Sequence, residues 1–466
     1  MMNRKRPVRF FSLVAIVLFC LFPDAAAQEA LNVTETRLAI APEGYSIGQV
    51  VFSPDGKNVA FAAGKKGKWH LFYGNRKGKP YDYVAMIAFS PDGRRTAYSA
   101  RKGSKEYCVV DEREGNSFDS VCNPTFSRGG QVVFEASIKG KYFIAATRSW
   151  EGPRRDMSVI RPVFSPDGRR VFYILSDDTK STVSSFIANS HTGDVIRSKT
   201  YDKIHSVSVS ADGSWLAYGV KKDGKQRMIL TDFTGKAKKS PAYERVANIV
   251  FSPDGKGIAW IVKHGGERFV ISSSIAMKRF RRSPPFTSLG KPVFSPEGAY
   301  LLYTAASGKK MSWMLQPVNS GTMKKAVKQS GVPAPPRALS INGDYETVDS
   351  VVFSPDGSSF VYRGTRNGKY YMALRDARTV GQEEQESPAY DFISNIKFSP
   401  DGRHVAWLAK RKDSYFAVVG NAALSKIRKS APYDRIWSPR FSPDGKQVLY
   451  GARSGRELWW KVEPLH

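Results

Sequence analysis

Short apolar runs that alternate with polar positions recur along the whole chain, grouped in pairs around a turn. Ile87-Ala88-Phe89 and Val351-Val352-Phe353 stand before such turns, and Val59-Ala60-Phe61 and Val405-Ala406-Trp407 after them. A period of two bounded by turn residues predicts β-strands with one buried face. A third run follows a polar turn, as in Lys68-Trp69-His70-Leu71-Phe72 or Tyr415-Phe416-Ala417-Val418-Val419, and a short fourth ends near Pro80, Pro241, Pro388 or Pro432. The pattern therefore predicts a repeated unit of four antiparallel strands.

A hexapeptide marks each unit: Phe-Ser-Pro-Asp-Gly followed by Lys, Arg or Ser, at Phe52 to Lys57, Phe89 to Arg94, Phe164 to Arg169, Phe251 to Lys256, Phe353 to Ser358, Phe398 to Arg403 and Phe441 to Lys446. Looser copies led by Phe126, Val209 and Phe294 bring the total to ten. Leading residues stand 37 to 59 positions apart, and a step near 40 is that of a four-stranded propeller blade. Pro presets φ for the first central turn position and Gly takes the positive φ that follows, so the hexapeptide is a hairpin turn and not an active site. A second element lies eight residues ahead of the leading position: Tyr81-Asp82, Phe118-Asp119, Tyr201-Asp202, Tyr243-Glu244, Tyr345-Glu346, Tyr390-Asp391 and Tyr433-Asp434. Its presence in most units points to a lock between neighbouring blades; a ring of ligand-binding tyrosines is the alternative.

Ser-Pro-Asp-Gly turns at blade spacing resemble the WD-repeat-like propeller units of the TolB-like family and of peptidase propeller domains, over nearly all of residues 45–466. The resemblance implies an all-β propeller in the periplasm. TolB proteins also carry an amino-terminal α/β domain, whereas the first hexapeptide here follows a predicted cleavage site by only about 25 residues, so fold and compartment are carried over and the partner is not. The last unit has two strands after its turn and lacks a fourth; Thr34 to Ala41 alternate as a strand and are expected to complete it, removing the exposed edges. One ring of ten blades is the expectation, with two smaller propellers as the alternative.

The ends and the charge set the compartment and the class of partner. Arg4, Lys5, Arg6 and Arg9 precede an apolar run from Phe10 to Phe22, and Ala25-Ala26-Ala27 supply small residues before Gln28, the layout of a signal peptide over residues 1–27. The remaining 28–466 are read as propeller, with no later transmembrane segment, in a periplasmic or alternatively secreted protein. Cys20 as a lipid-modified residue fits poorly, because Phe19 before it is large. The formal charge of +30 falls by only three without the leader and favours anionic partners. No nucleic-acid recognition motif is present.

The basic residues concentrate in the turn between the second and third strands of nine units. Lys65, Lys66 and Lys68; Arg101, Lys102 and Lys105; Lys221, Lys222 and Lys225; Arg366 and Lys369; Lys410, Arg411 and Lys412; and Arg453 and Arg456 are the candidates for binding. The fourth unit breaks the series with Asp177 and Asp178. Equivalent turns share a face, so they predict a positive crown, which the nearby Tyr-Asp carboxylates partly neutralise. Lysines on turns also serve edge protection alone. Departures gather near the seventh unit: Lys278-Arg279-Phe280-Arg281-Arg282, and an insertion from about Gln316 to Tyr345 with Val332-Pro333-Ala334-Pro335-Pro336 as a candidate extended arm.

Signals for catalysis are thin. His70, His191, His205, His264, His404 and His466 show no metal-ligand spacing, and no nucleophile elbow, calcium loop or P-loop occurs; neither metal nor cofactor is expected. Cys108 and Cys122 flank a turn near Gly115 as a cross-strand disulfide would in an oxidising compartment, although the repeat register separates them into different blades. The reading is a non-enzymatic envelope scaffold offering a basic face to an anionic glycan, lipid or protein partner. The alternative is a propeller lyase or hydrolase with a channel site acting on an anionic polymer.

Overall fold

The structure, a computed structural model, describes residues 34–465 apart from 128, 148–149, 152–158, 166–167, 178–181, 190–193, 233, 308–309, 319–336, 341–344 and 378–384. The predicted leader and Asp178 lie outside the described residues. All elements are strands, arranged as ten antiparallel sheets that each correspond to one hexapeptide unit.

The first blade shows the plan: Ser46–Phe52, Val59–Lys65, Lys68–Tyr73 and Arg76–Lys77 pair in chain order. Its second strand is buried along almost its whole length, because both sheet faces are covered by neighbouring blades. Hydrophobic clusters fill all ten interfaces, two of them between blades 9 and 10. Ala60, Ala62 and Leu71 pack on Tyr81, Val84 and Tyr98 between blades 1 and 2, and Ala217, Met228 and Leu230 on Val246, Trp260 and Phe269 between blades 5 and 6. Each fully buried Leu, Ile or Phe in these seams contributes about 1.5–3 kcal/mol.

Closure joins the two ends of the described chain. Thr34–Ile40 pairs with Glu457–Pro464, which follows Arg435–Phe441 and Gln447–Ser454 in blade 10. Ala39 and Leu458 then pack against Val50, Phe61 and Phe72 of blade 1. The alternative of two smaller propellers is thereby excluded: the middle of the chain has the same continuous seam as everywhere else, and the tenth blade packs on the first. Two ion pairs cross the closing strands, Arg37 to Glu457 at 2.9 Å and Lys461 to Glu35 at 2.5 Å. Lys461 is only 3% exposed in its side chain and lies over the rings of Tyr433 and Trp459.

In a four-stranded up-and-down blade, the second-to-third turn and the link to the next blade emerge on one face, and the hexapeptide turn and the third-to-fourth turn on the other. The insertion of blade 7 runs from the third strand, Lys310–Pro317, to the fourth, Arg337–Ser340. It therefore leaves Pro317 and returns at Arg337 on the hexapeptide face, opposite the basic turns; residues 319–336, including the proline-rich stretch, lie outside the described residues. Phe280–Arg282, within the basic run near the seventh unit, is the outer strand of blade 6.

Candidate functional site

Hexapeptide turns are internally satisfied. In the first, Ser53 Oγ donates to Asp55 Oδ1 at 2.6 Å and accepts the Asn58 N–H at 2.9 Å, while the Lys57 N–H reaches Asp55 Oδ1 at 3.1 Å. Gly56 sits at φ +74°. The same network recurs around Ser210, Ser252, Ser354, Ser399 and Ser442. The Ser hydroxyl is the first cause holding Asp356 down to about 2. These carboxylates serve the turn.

The Tyr-Asp element is a clasp between blades. The backbone of Tyr81 exchanges hydrogen bonds with Trp69 of blade 1, and the Asp82 N–H donates to Arg101 O of blade 2. The carboxylate repeats the bridge: Lys68 Nζ donates to Asp82 Oδ1 at 2.6 Å, and the Gly103 N–H to Oδ2 at 2.7 Å. Asp119 joins Lys105 to the Lys139 N–H, and Asp391 joins Lys369 to the Lys412 N–H. Glu244, Glu346 and Asp434 take the turn N–H of Gly265, Asn367 and Gly455. Asp82, Asp119 and Asp391 lie below the ordinary carboxylate range, first through the lysine and then through the turn amide.

The clasp divides the candidate cations into two groups. Lys68, Lys105 and Lys369 are paired with clasp carboxylates. Arg366 pairs with Glu386 at 3.1 Å and lies over Tyr371 and Tyr345; Lys102 stands 3.7 Å from Glu114. Lys65 donates to Glu43 O and lies over Tyr45, Arg456 is 3.7 Å from Glu43, and Arg453 Nε donates to Gly455 O. Arg101 lies over Tyr83 and Lys410 over Tyr415. Lys66, Lys221, Lys222, Lys225, Arg411 and Lys412 are exposed, and among the described residues no carboxylate is in ion-pair contact with them. Lys66 at φ +52° and Gly67 at +75° form the tight hairpin that presents its side chain to solvent.

The inner strands hold features the sequence reading missed. Met86, Asn123, Ser206, Asn248, Ser350 and Asn395 adopt φ between +50° and +55°, each three residues before the hexapeptide and each within a register shift against the second strand. The recurrent Asn and Ser were the available signal, since these side chains tolerate the left-handed region. Immediately after the clasp dipeptide stand Tyr83, Lys203, Arg245, Phe392 and Arg435, all exposed, each the first residue of the inner strand of its blade.

The proposed bridge between Cys108 and Cys122 is not formed; both are free thiols. Cys108 pairs with Ser99 in blade 2 and Cys122 with Glu135 in blade 3, so the repeat register that separates them prevails over their nearness in sequence. Burial raises the Cys108 thiol to about 12. Cys108 also lines a cleft of about 1110 Å³ between blades 2 and 3 with Phe118 and Phe134 on its walls. Among the described residues no group of three or more His, Cys, Asp and Glu is placed to hold a metal ion, and no helix is long and apolar enough to cross a membrane.

No protein-family model matches the chain, and no curated protein sequence matches it. Among solved structures, the chain is similar to TolB from Acinetobacter baumannii, 16% identical over 57% of this chain with a TM-score of 0.34; the match spans 64% of the TolB chain, less than two thirds of its length. It is similar to an oligogalacturonate lyase in complex with manganese, 13% identical over 74% of this chain and 96% of that one with a TM-score of 0.39. The Dos1 propeller is 11% identical over 81% of this chain and 91% of that one, with a TM-score of 0.43. The likeness is one of fold, to TolB proteins and other β-propellers.

Proposed function

We propose that this chain is a non-enzymatic scaffold of the periplasm or envelope, which presents the face of its second-to-third strand turns to an anionic glycan, lipid or protein partner. The observation that supports this reading is the division of the cations. The clasp carboxylates take up Lys68, Lys105 and Lys369 and leave Lys66, Lys221, Lys222, Arg411 and Lys412 exposed on the same face. Fold maintenance explains the first group and gives no reason for the second. Exposed charges act over about 8–10 Å at ordinary ionic strength, so they attract a partner at low salt and release it at high salt.

The test is capture of solubilised envelope material by the mature protein at low and at about 0.5 M salt, beside a variant with Lys66, Lys221, Lys222, Arg411 and Lys412 changed to Ser. Capture lost in high salt and in the variant is the expected result. Capture indifferent to both rejects the basic face as the binding surface.

A further inference from the structure

We infer that the mouth of the central channel, on the face of the second-to-third strand turns, is a binding site for an acidic polysaccharide. This rests on the proposed function and deepens it from a face to a site and a ligand class. Three blades place like charges directly opposite one another at the first position of the inner strand: Lys203 faces Lys221, Arg245 faces Lys263 and Arg435 faces Arg453. Like-charged cross-strand pairs destabilise a sheet. Blade architecture does not require them, since the same position is Ser46 in blade 1, Ser288 in blade 7 and Thr347 in blade 8.

Little compensates these charges from within the fold. Lys263 has Glu244 at 3.6 Å, Arg435 lies over Trp437, and Arg453 turns back to the Gly455 carbonyl. His205 lies below the ordinary histidine range, first through burial; a Gln226 hydrogen bond opposes this, and the charges of Lys203 of blade 5 and Arg245 of blade 6 both add to the lowering.

Two further blades put an aromatic ring at that register and a cation opposite it. Tyr83 is 47% exposed and faces Arg101, and Phe392 is 38% exposed and faces Lys410. Exposed rings beside cations suit a chain of acidic sugars, whose C–H faces stack on rings while their carboxylates meet Lys and Arg. A bilayer surface is flat and meets the outer turns before an opening between inner strands. An extended acidic peptide that binds by adding a strand needs a regular strand edge, and the positive-φ shifts at Met86, Ser206, Asn248, Ser350 and Asn395 break that edge; polyglutamate tests the acidic peptide that binds by charge alone.

Binding of alginate oligosaccharides to the mature protein is the test, beside neutral dextran, polyglutamate of matched charge and phosphatidylglycerol vesicles. Lys203→Thr with Arg245→Thr should weaken alginate binding by about tenfold and leave Tm unchanged or raised, because a repulsion has been removed. Tyr83→Ser with Phe392→Ser should weaken alginate and spare the residual binding of polyglutamate. Alginate left unbound by the wild type, polyglutamate or vesicles bound as tightly as alginate, or alginate binding untouched by both variants overturns the inference; so does a Tm that falls together with binding in the charge variant. If Lys66→Ser, Arg411→Ser and Lys412→Ser together abolish envelope capture while the mouth variants do not, the basic face stands as the binding surface and the mouth does not.

Discussion

Lys68 of blade 1 donates to Asp82 at 2.6 Å, and the other oxygen of that carboxylate holds the Gly103 amide of blade 2 at 2.7 Å. One side chain thus ties two hairpins on neighbouring blades, and the same device recurs at Asp119 and Asp391. Asp82→Ala should lower Tm, and Asp82→Ala, Asp119→Ala and Asp391→Ala together should lower it further: Asp391 adds independently because its clasp shares no partner with the others, whereas Asp82 and Asp119 meet one hairpin at Gly103 and Lys105. Thermal unfolding of the single and combined variants checks this; a triple variant as stable as the wild type contradicts the clasp.

Acid should loosen the ring. The clasp and turn carboxylates have folded values below their unfolded ones, with Asp356 at about 2. A depressed folded value contributes stability that is present above the unfolded pKa, about 3.9 for Asp, and is lost as pH falls through the folded value. Tm should therefore fall mainly between about pH 4 and pH 2, as a thermal series at pH 7, 4 and 2.5 would show.

Glu463 should have the opposite dependence. It is buried in the closing blade, accepts the Tyr450 hydroxyl, and is raised first by burial. A raised folded value contributes stability below the unfolded pKa, about 4.3 for Glu, that is lost as pH rises through the folded value. Glu463→Gln keeps an acceptor for Tyr450 and should raise Tm at pH 7 but not at pH 4. Tyr450→Phe removes the donor and should cost about 1–3 kcal/mol at neutral pH, read by denaturant unfolding.

Met86 occupies φ +54° and is 42% exposed, where blades 3, 6 and 9 have Asn123, Asn248 and Asn395. Left-handed backbone costs most L-residues about 1–2 kcal/mol and Asn less. Met86→Asn should stabilise the protein by about 0.5–1 kcal/mol, measured by denaturant unfolding.

How legible all this was in the sequence follows the repeat. Ser-Pro-Asp-Gly turns and alternating runs announced the blades because turn chemistry and period two are local. Closure by Thr34–Ile40 was legible from one missing strand, and the clasp from the fixed offset of Tyr81-Asp82 and its equivalents. The face on which the insertion leaves was not, since it depends on which strands the insertion joins. Nor was the division of the cations: Lys66 and Lys68 are two residues apart, and only the register that carries Asp82 to Lys68 separates them. The opposed pairs at Lys203, Arg245 and Arg435 needed strand register as well, because each partner lies 18 residues away in the chain.

The most direct measurement sets two variants side by side: Lys68→Ser with Lys369→Ser, and Lys66→Ser with Arg411→Ser and Lys412→Ser. Tm and retention on a dextran sulfate column are recorded for each. The predicted result is a lowered Tm with nearly full retention for the first, and an unchanged Tm with early elution for the second. Equal loss of retention in both, or a fall in Tm confined to the second, would contradict the division of the basic face into cations that hold the ring and cations that bind.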